Sequence, residues 1–284
     1  MKKFLIVILI LFSQSCKEID SEQVESLITV IGISEIFINQ KVDNQDISRK
    51  VIIHGPKDTI ENKKYPVVFY LHGNGGLPTR GFILSELVDS GEFIGVYPEG
   101  YKRSWNLGAG IESSNANDVE FIKMIVSELS NYSNIDLEKV YAIGNSNGSA
   151  MANQLALKTN IFKGIAPLAS QLLLAQNPIT STKPLSVYQI CGSHDETIPY
   201  EGGLSSVGHI FKSSHESAYS WASAFNCNLN AEVQIINSDS IFTYNNCKDG
   251  NIIKFQRVEN GNHGLNGNLR DKCNKIWEFF KQIS

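Results

Sequence analysis

The chain has 284 residues, 42% of them hydrophobic and 19% charged, with a formal net charge of −4. Such a length and apolar content suit one large α/β domain or two small ones, and they exclude a disordered or fibrous chain. No lysine or arginine run and no basic excess is present, so nucleic acid is not an expected partner.

The chain begins MKKFLIVILILFSQSC, with two lysines ahead of an unbroken apolar run from Phe4 to Phe12. That run is too short to span a bilayer and fits the apolar core of a secretory signal. Ser13, Gln14, Ser15 and Cys16 follow. The pattern resembles a bacterial lipoprotein signal, in which the cysteine after a small residue is lipidated and becomes the mature N-terminus. Gln14 is unusual there, and Leu11 lies further upstream than in most such signals. An ordinary cleaved signal with an incidental cysteine is the alternative. The expectation is a signal peptide over 1–15, a polar tether over 16–26 and a single domain over 27–284. The protein would then be exported and membrane-anchored through Cys16, in the periplasm or on the cell surface.

From Leu27 to Ile53, alternating β-branched residues predict a strand pair. YPVVFYLHGNGG is a continuous apolar strand, Val67 to Leu71, that runs into glycines. A further strand covers Phe93 to Tyr97. ANDVEFIKMIVSELSN has apolar residues at helical spacing, with Asn115 or Asn117 able to cap its start. KVYAIG, FKGIAPLAS, PLSVYQICG and NIIKFQRVEN are more strands, and DKCNKIWEFFKQI closes the chain as a helix. Strands alternating with helices predict an α/β fold, with a mainly parallel sheet covered on both faces. Ligands gather at the carboxyl ends of such strands, so the residues just after each strand carry the functional argument.

Ser146 lies after KVYAIG in the G-x-S-x-G stretch Gly144 to Gly148. In that motif a serine occupies a strained strand-to-helix corner, and the glycines avoid collisions with neighbouring backbone. The bland reading is a chance loop of common residues. After LSVYQI come Cys191, Gly192, Ser193, His194, Asp195 and Glu196. After IIKFQRVEN come Gly261, Asn262, His263 and Gly264. A serine hydroxyl needs an imidazole to remove its proton, and the imidazole needs a carboxylate to fix its tautomer. Of the six histidines, His263 alone sits after a last strand, before a last helix and between glycines. His54 lies in an early strand, and His209 and His215 lie in VGHIFKSSHES, a polar loop or helix start. His194 shapes the acid loop and His72 braces a turn. Asp195 is the expected acid, with the adjacent Glu196 equally acidic. LHGNGG, Leu71 to Gly76, offers a backbone N–H to a reacting oxygen. Asn74 is preferred and Gly75 is the alternative, each acting with the N–H of Asn147. A lone Gly-rich turn or a phosphate site is the competing reading, but a Walker A lysine is missing.

These pieces resemble the polyhydroxybutyrate depolymerase-like and feruloyl esterase-like α/β-hydrolases. The matching stretches are PVVFYLHGNGG, VYPEG with SWN, NDVEFI, GNSNGSAMA, CGSHDETIPYEGG, SWASAFNCN and ENGNHGLNG, in family order from about Tyr65 to the C-terminus. The resemblance implies an α/β-hydrolase fold over 27–284. It also implies a Ser146–Asp195–His263 triad, an ester substrate, and a mechanism without metal or other cofactor. Two departures stand out. Ser149 replaces a second glycine after the elbow, and GLNG replaces the Trp-Pro that usually follows the histidine. The second lies beside the substrate and leaves the choice between polymer and aryl ester open. Trp105 in RSWN offers an aromatic wall for substrate, or core packing. The expected function is a serine carboxylic-ester hydrolase acting on acyl or feruloyl esters of plant polysaccharide. Alternatives are a short-chain polyester depolymerase, a serine peptidase on the same fold, and a non-catalytic carbohydrate-binding lipoprotein.

Besides Cys16 there are cysteines at 191, 227, 247 and 273, which allow three pairings. Cys191 ends a strand that should be buried, and Cys273 lies in the last helix. Cys227 and Cys247 flank a polar segment with two short strand-like runs and little core of its own. The resembled family also tends to carry a cysteine after FN in this helix and another just before the final strand. The expected disulfide is Cys227–Cys247.

Overall fold

The structure, a computed structural model, describes residues 28–283. The signal, tether and lipidation expected over 1–26 lie outside the described residues.

The first two strands form a hairpin, β1 (Ile33–Val42) and β2 (Gln45–His54). Its turn residues, Asp43 and Asn44, have φ of 50° and 62°, the left-handed pair that a tight two-residue hairpin demands. β1 starts later than the sequence pattern suggests. Gly32, at φ 61°, turns the chain first, and Val30 donates from its backbone N–H to Asn134 Oδ1 at 3.0 Å instead of joining a ladder.

The following elements alternate as expected. They are β3 (Tyr65–Leu71), α1 (Ser85–Asp89), β4 (Ile94–Pro98), α2 (Asp118–Leu129), β5 (Ile135–Asn145), α3 (Asn147–Lys158) and β6 (Gly164–Leu168). Then come β7 (Ser186–Gly192), the short pair β8 (Gly203–Leu204) and β9 (Ile210–Phe211), α4 (Ser214–Ala224), β10 (Glu232–Ile236), β11 (Asp239–Tyr244), β12 (Ile253–Val258) and α5 (Leu269–Gln282). Among the described residues the main sheet has 10 strands in the order β1-β2-β4-β3-β5-β6-β7-β12-β11-β10. β4, β3, β5, β6, β7 and β12 run parallel, and an antiparallel hairpin extends each edge.

Central strands such as VVFYL are apolar throughout because both of their faces are covered. One face packs Phe121, Ile125, Met151, Leu155 and Trp221, from α2, α3 and α4. The other packs Val88, Ile276, Trp277 and Phe280, from α1 and α5. Asn117 caps α2 by accepting from Glu120 N–H at 3.1 Å, which decides between the two asparagines foreseen. The chain order 4-3-5 in the middle of the sheet is a reversal of winding, and ligand crevices form at the carboxyl edge beside such reversals.

Candidate active site

Three parallel strands deliver the expected side chains to that edge. Ser146 stands between β5 and α3 at φ 54°, ψ −116°, a conformation sterically costly for a residue with a side chain. Close packing holds it there. A Cβ on Gly148 would lie 2.1 Å from Leu71 O, so only glycine lets α3 approach β3 this closely. The Ser146 N–H donates to Leu168 O at 2.8 Å, which ties the corner to β6.

Asp195 follows β7 and His263 follows β12. A Cβ on Gly192 would meet Gly261 O at 2.3 Å, so the acid and base loops are in backbone contact. His194 N–H donates to Gly261 O at 2.8 Å and Asn260 N–H donates to Ser193 Oγ at 2.9 Å, fixing their separation. Asp195 Oδ1 accepts from the N–H groups of Thr197 at 2.8 Å and Ile198 at 2.9 Å, which leaves Oδ2 aimed at the imidazole. His263 Nδ1 lies 2.8 Å from Asp195 Oδ2, and His263 Nε2 lies 2.8 Å from Ser146 Oγ. A carboxylate only accepts, so Nδ1 donates to it and Nε2 is left to accept from the serine hydroxyl. This tautomer can take the Ser146 proton as the oxygen attacks. Glu196, the alternative acid, is exposed.

Beside Ser146 is a cavity of about 250 Å³ whose lining includes Asn74, Asn147, Leu107, Glu112, Ile198 and His209. The Asn147 N–H, in the first turn of α3, has no acceptor inside the helix. In the loop after β3, the Gly75 N–H is occupied by Arg103 O at 2.8 Å and the Gly76 N–H by Gly73 O at 2.9 Å. Gly75, the alternative to Asn74, is therefore turned away from the cavity that Asn74 lines. Arg103 also clamps the carbonyls of Gly75 and Gly76 with its guanidinium.

Trp105 requires a correction. It is 0% exposed and does not line the cavity, so it offers no wall to a substrate. Its indole N–H donates to His72 O at 2.8 Å. Its backbone N–H donates to Asn147 Oδ1 at 2.8 Å, and its carbonyl accepts from Asn147 Nδ2 at 3.2 Å. Trp105 thus joins the loop after β4 to the loop after β3 and to the start of α3. His72 braces the same junction. Its Nδ1 donates to Gly73 O at 2.8 Å, and its Nε2 accepts from Gly100 N–H at 3.0 Å.

The two ionisable side chains of the cavity lining, Glu112 and His209, were not foreseen as site residues. Glu112 accepts from four backbone N–H groups, those of Leu107, Ala109, Gly110 and Ile111, at 2.9–3.1 Å. It thereby shapes the loop that forms one side of the cavity. His209 reaches the cavity from the turn between β8 and β9. The glycines of NLGAGIES hinted at a tight loop, and nothing local to His209 told of its position.

The disulfide Cys227–Cys247 is present, and Cys191 and Cys273 are buried thiols. Burial pushes each thiol up to about 12, so neither is a reactive thiolate. Among the described residues no cluster of His, Cys, Asp and Glu could hold a metal ion.

Sheet order, the elbow between β5 and α3, and side chains at the ends of β5, β7 and β12 define an α/β-hydrolase. Within that class the chain is feruloyl esterase-like in sequence. It is 32% identical over 144 residues to the NocK protein of Nocardia uniformis subsp. tsuyamanensis, whose name assigns it provisionally to the esterases. That match covers 48% of this chain and 42% of NocK. It is 23% identical over 251 residues to feruloyl esterase B of Piromyces equi, covering 83% of this chain and 45% of that protein. The chain spans about half the length of these curated relatives. Acetyl xylan esterase from Aspergillus awamori superposes with a TM-score of 0.59 at 15% identity, covering 87% of this chain and 99% of that one. The Bacillus cereus carboxylesterase gives a TM-score of 0.54 at 19% identity, covering 82% and 94%. At such identity the likeness is one of fold. No protein-family profile matches the chain.

Proposed function

We propose that this protein is a serine carboxylic-ester hydrolase that works through an acyl-enzyme. Ser146 attacks the ester carbonyl while His263 takes its proton. Asp195 holds the imidazole in the required tautomer and stabilises its positive form. The N–H groups of Asn74 and Asn147 receive the developing oxyanion, each supplying about 3 kcal/mol in the transition state. His263 then protonates the leaving alcohol, and a water activated by the same imidazole releases the acid. The observation that carries this reading is the unbroken chain Ser146 Oγ, His263 Nε2, His263 Nδ1, Asp195 Oδ2, with both contacts at 2.8 Å beside an open cavity.

The substrates we favour are acyl or feruloyl esters of plant polysaccharide, in keeping with a feruloyl esterase match that spans 83% of the chain. The test is turnover of p-nitrophenyl acetate, methyl ferulate and acetylated xylan, together with fluorophosphonate labelling of Ser146. Ser146→Ala should abolish labelling and lower kcat by about 10⁴-fold or more without loss of fold. A wild-type protein that is neither labelled nor active on any of the three would overturn the proposal.

We further propose export and anchoring through a lipid on Cys16. Among the described residues no helix is long and apolar enough to cross a membrane. Two or more acyl chains hold a folded domain at a bilayer, since each buried CH₂ contributes about 0.8 kcal/mol. Cys16→Ser should move the protein from the membrane fraction to the soluble one. An intact mass that retains Met1, or an unmodified Cys16 terminus, would exclude the anchor.

A further inference from the structure

His209 sits where two cavities meet. It lines the cavity beside Ser146, and it also lines an apolar groove bounded by Ile111, Leu173, Leu174, Ala175 and Ile210. The residue is 8% exposed, and its Nδ1 is buried without a hydrogen-bond partner. Burying an imidazole nitrogen unpaired is unfavourable, so the side chain gains when a turn of the ring toward the cavity lets a ligand atom supply the missing bond.

The surroundings hold the His209 backbone in place and leave the ring Nδ1 without a protein partner. Ser205 N–H and Ser205 Oγ both donate to His209 O at 2.8 Å, and His209 N–H donates to Ser205 Oγ at 3.1 Å. Leu174 N–H donates to Ile210 O at 2.9 Å and Lys212 N–H to Leu172 O at 3.0 Å, so both banks of the groove are one backbone-bonded unit. The third side is the loop gathered by Glu112. Burial holds the His209 imidazole below its ordinary range, with the nearby Glu112 carboxylate pulling the other way. A neutral imidazole has one N–H and one lone pair, and a hydroxyl can answer either.

We propose that His209 is a specificity-determining residue, and that the groove beyond it takes the part of the ester that projects from the Ser146 cavity. That part is an apolar body bearing a hydroxyl where it passes the imidazole. Ile111 and His209 line both the groove and the cavity, so the groove lies directly beside the space that holds the reacting ester. Its walls offer leucine, isoleucine and alanine, so a flat or aliphatic apolar segment fits it better than a bare sugar ring. A buried group that is satisfied by a substrate hydroxyl discriminates strongly against the analogue without it.

This inference rests on the ester-hydrolase reading, and the experiment separates the two. kcat/KM is measured for two substrate pairs that differ by one hydroxyl. In the acyl half they are methyl 3-phenylpropanoate and its 4-hydroxyphenyl counterpart. In the alcohol half they are 2-phenylethyl acetate and its 4-hydroxyphenyl counterpart. Wild type should favour the hydroxylated member of at least one pair about ten-fold. His209→Phe should bring that ratio near one, and His209→Gln should retain part of it. The ratio within each variant is the readout, because a general loss of activity or of folded protein leaves it unmoved. Ile210→Ser and Leu174→Ser, both at half-exposed positions, should lower the kcat/KM of the phenylpropanoate and phenylethyl esters relative to p-nitrophenyl acetate about three-fold or more. A wild type without preference in either pair, or a preference that survives in His209→Phe, overturns the inference. Absence of turnover on p-nitrophenyl acetate instead removes the ester-hydrolase reading beneath it.

Discussion

Ser146 shows how a single residue is held in a conformation its side chain resists. The φ of 54° persists because Gly148 lets α3 press on Leu71 and because Leu168 O captures the Ser146 N–H. The acid is the residue for which sequence left a choice. Asp195 and Glu196 are neighbours with the same chemistry. Asp195 faces inward because its Oδ1 accepts two N–H bonds from the turn that follows, at 2.8 and 2.9 Å. Glu196 is one peptide further on and points to solvent. The expected outcome is that Asp195→Asn loses about 10⁴-fold in kcat, because an amide N–H facing His263 Nδ1 favours the wrong tautomer. Glu196→Gln should stay within about two-fold of wild type. Steady-state kinetics on p-nitrophenyl acetate decide it, and the reverse pattern would transfer the acid's role to Glu196.

At the scale of elements, the hairpin of β10 and β11 is the one that depends on a covalent tie. β10 is exposed along its whole length and, among the described residues, pairs only with β11, so burial contributes little to it. Cys227 after α4 and Cys247 after β11 close a loop with a sequence separation of 20. In the chain-entropy model such a closure stabilises by about 3 kcal/mol. Replacing both cysteines by serine should lower unfolding stability by about that amount in denaturant titration, with kcat retained, since no residue of the hairpin lines the Ser146 cavity. A stability within 0.5 kcal/mol of wild type would mean that the denatured chain is not constrained as the model assumes, roughly the scatter of a surface substitution. Elements of this kind also mark how far the sequence could be read. β5, β7 and β12 were legible because their apolar runs stop at glycine and reactive residues follow at once. The hairpin β8–β9 was not, because its strands have two residues each and β9 is tied to Leu172 and Leu174, far away in sequence. His209 was illegible for the same reason. Trp105 was misread because RSWN says that an aromatic lies near the site but not which way it turns. The three bonds it makes to His72 and Asn147 come from separate elements.

Across the whole molecule, buried polar groups tie the sheet's edges to its functional side. Arg49 of β2 pairs with Asp118 of α2 at 2.6 Å, and Asp118 also accepts from Asn106 N–H at 2.7 Å, one residue from Trp105. Buried histidines do similar work and make the fold sensitive to acid. Burial lowers the pKa of His72 below 6.5, against a Gly73 carbonyl that favours its charge. Burial likewise lowers His54, against Asp89, His209, against Glu112, and His215, against Glu201. Each group is therefore neutral in the folded protein at pH values where the unfolded chain has begun to bind a proton. Stability rises with pH wherever the unfolded state holds more protons, by at most about 1.4 kcal/mol per pH unit for each such group. The stability these histidines give is complete above pH 7 and is lost as pH falls through 6.5 toward their lower folded values. Asp118, which burial raises, works in the opposite direction but is one carboxyl against four imidazoles. Asp89 and Glu112 are lowered from 3.8 and 4.5, so their loss falls below this window. Urea midpoints at pH 7, 6 and 5 should therefore decline in that order. His72 carries a specific part of the decline, because protonation would set its Nε2–H against the Gly100 N–H that it now accepts. His72→Gln should start less stable at pH 7 and show a shallower fall to pH 5. A midpoint that stays level or rises on acidification would mean that these imidazoles gain their protons in the folded state as readily as in the unfolded one.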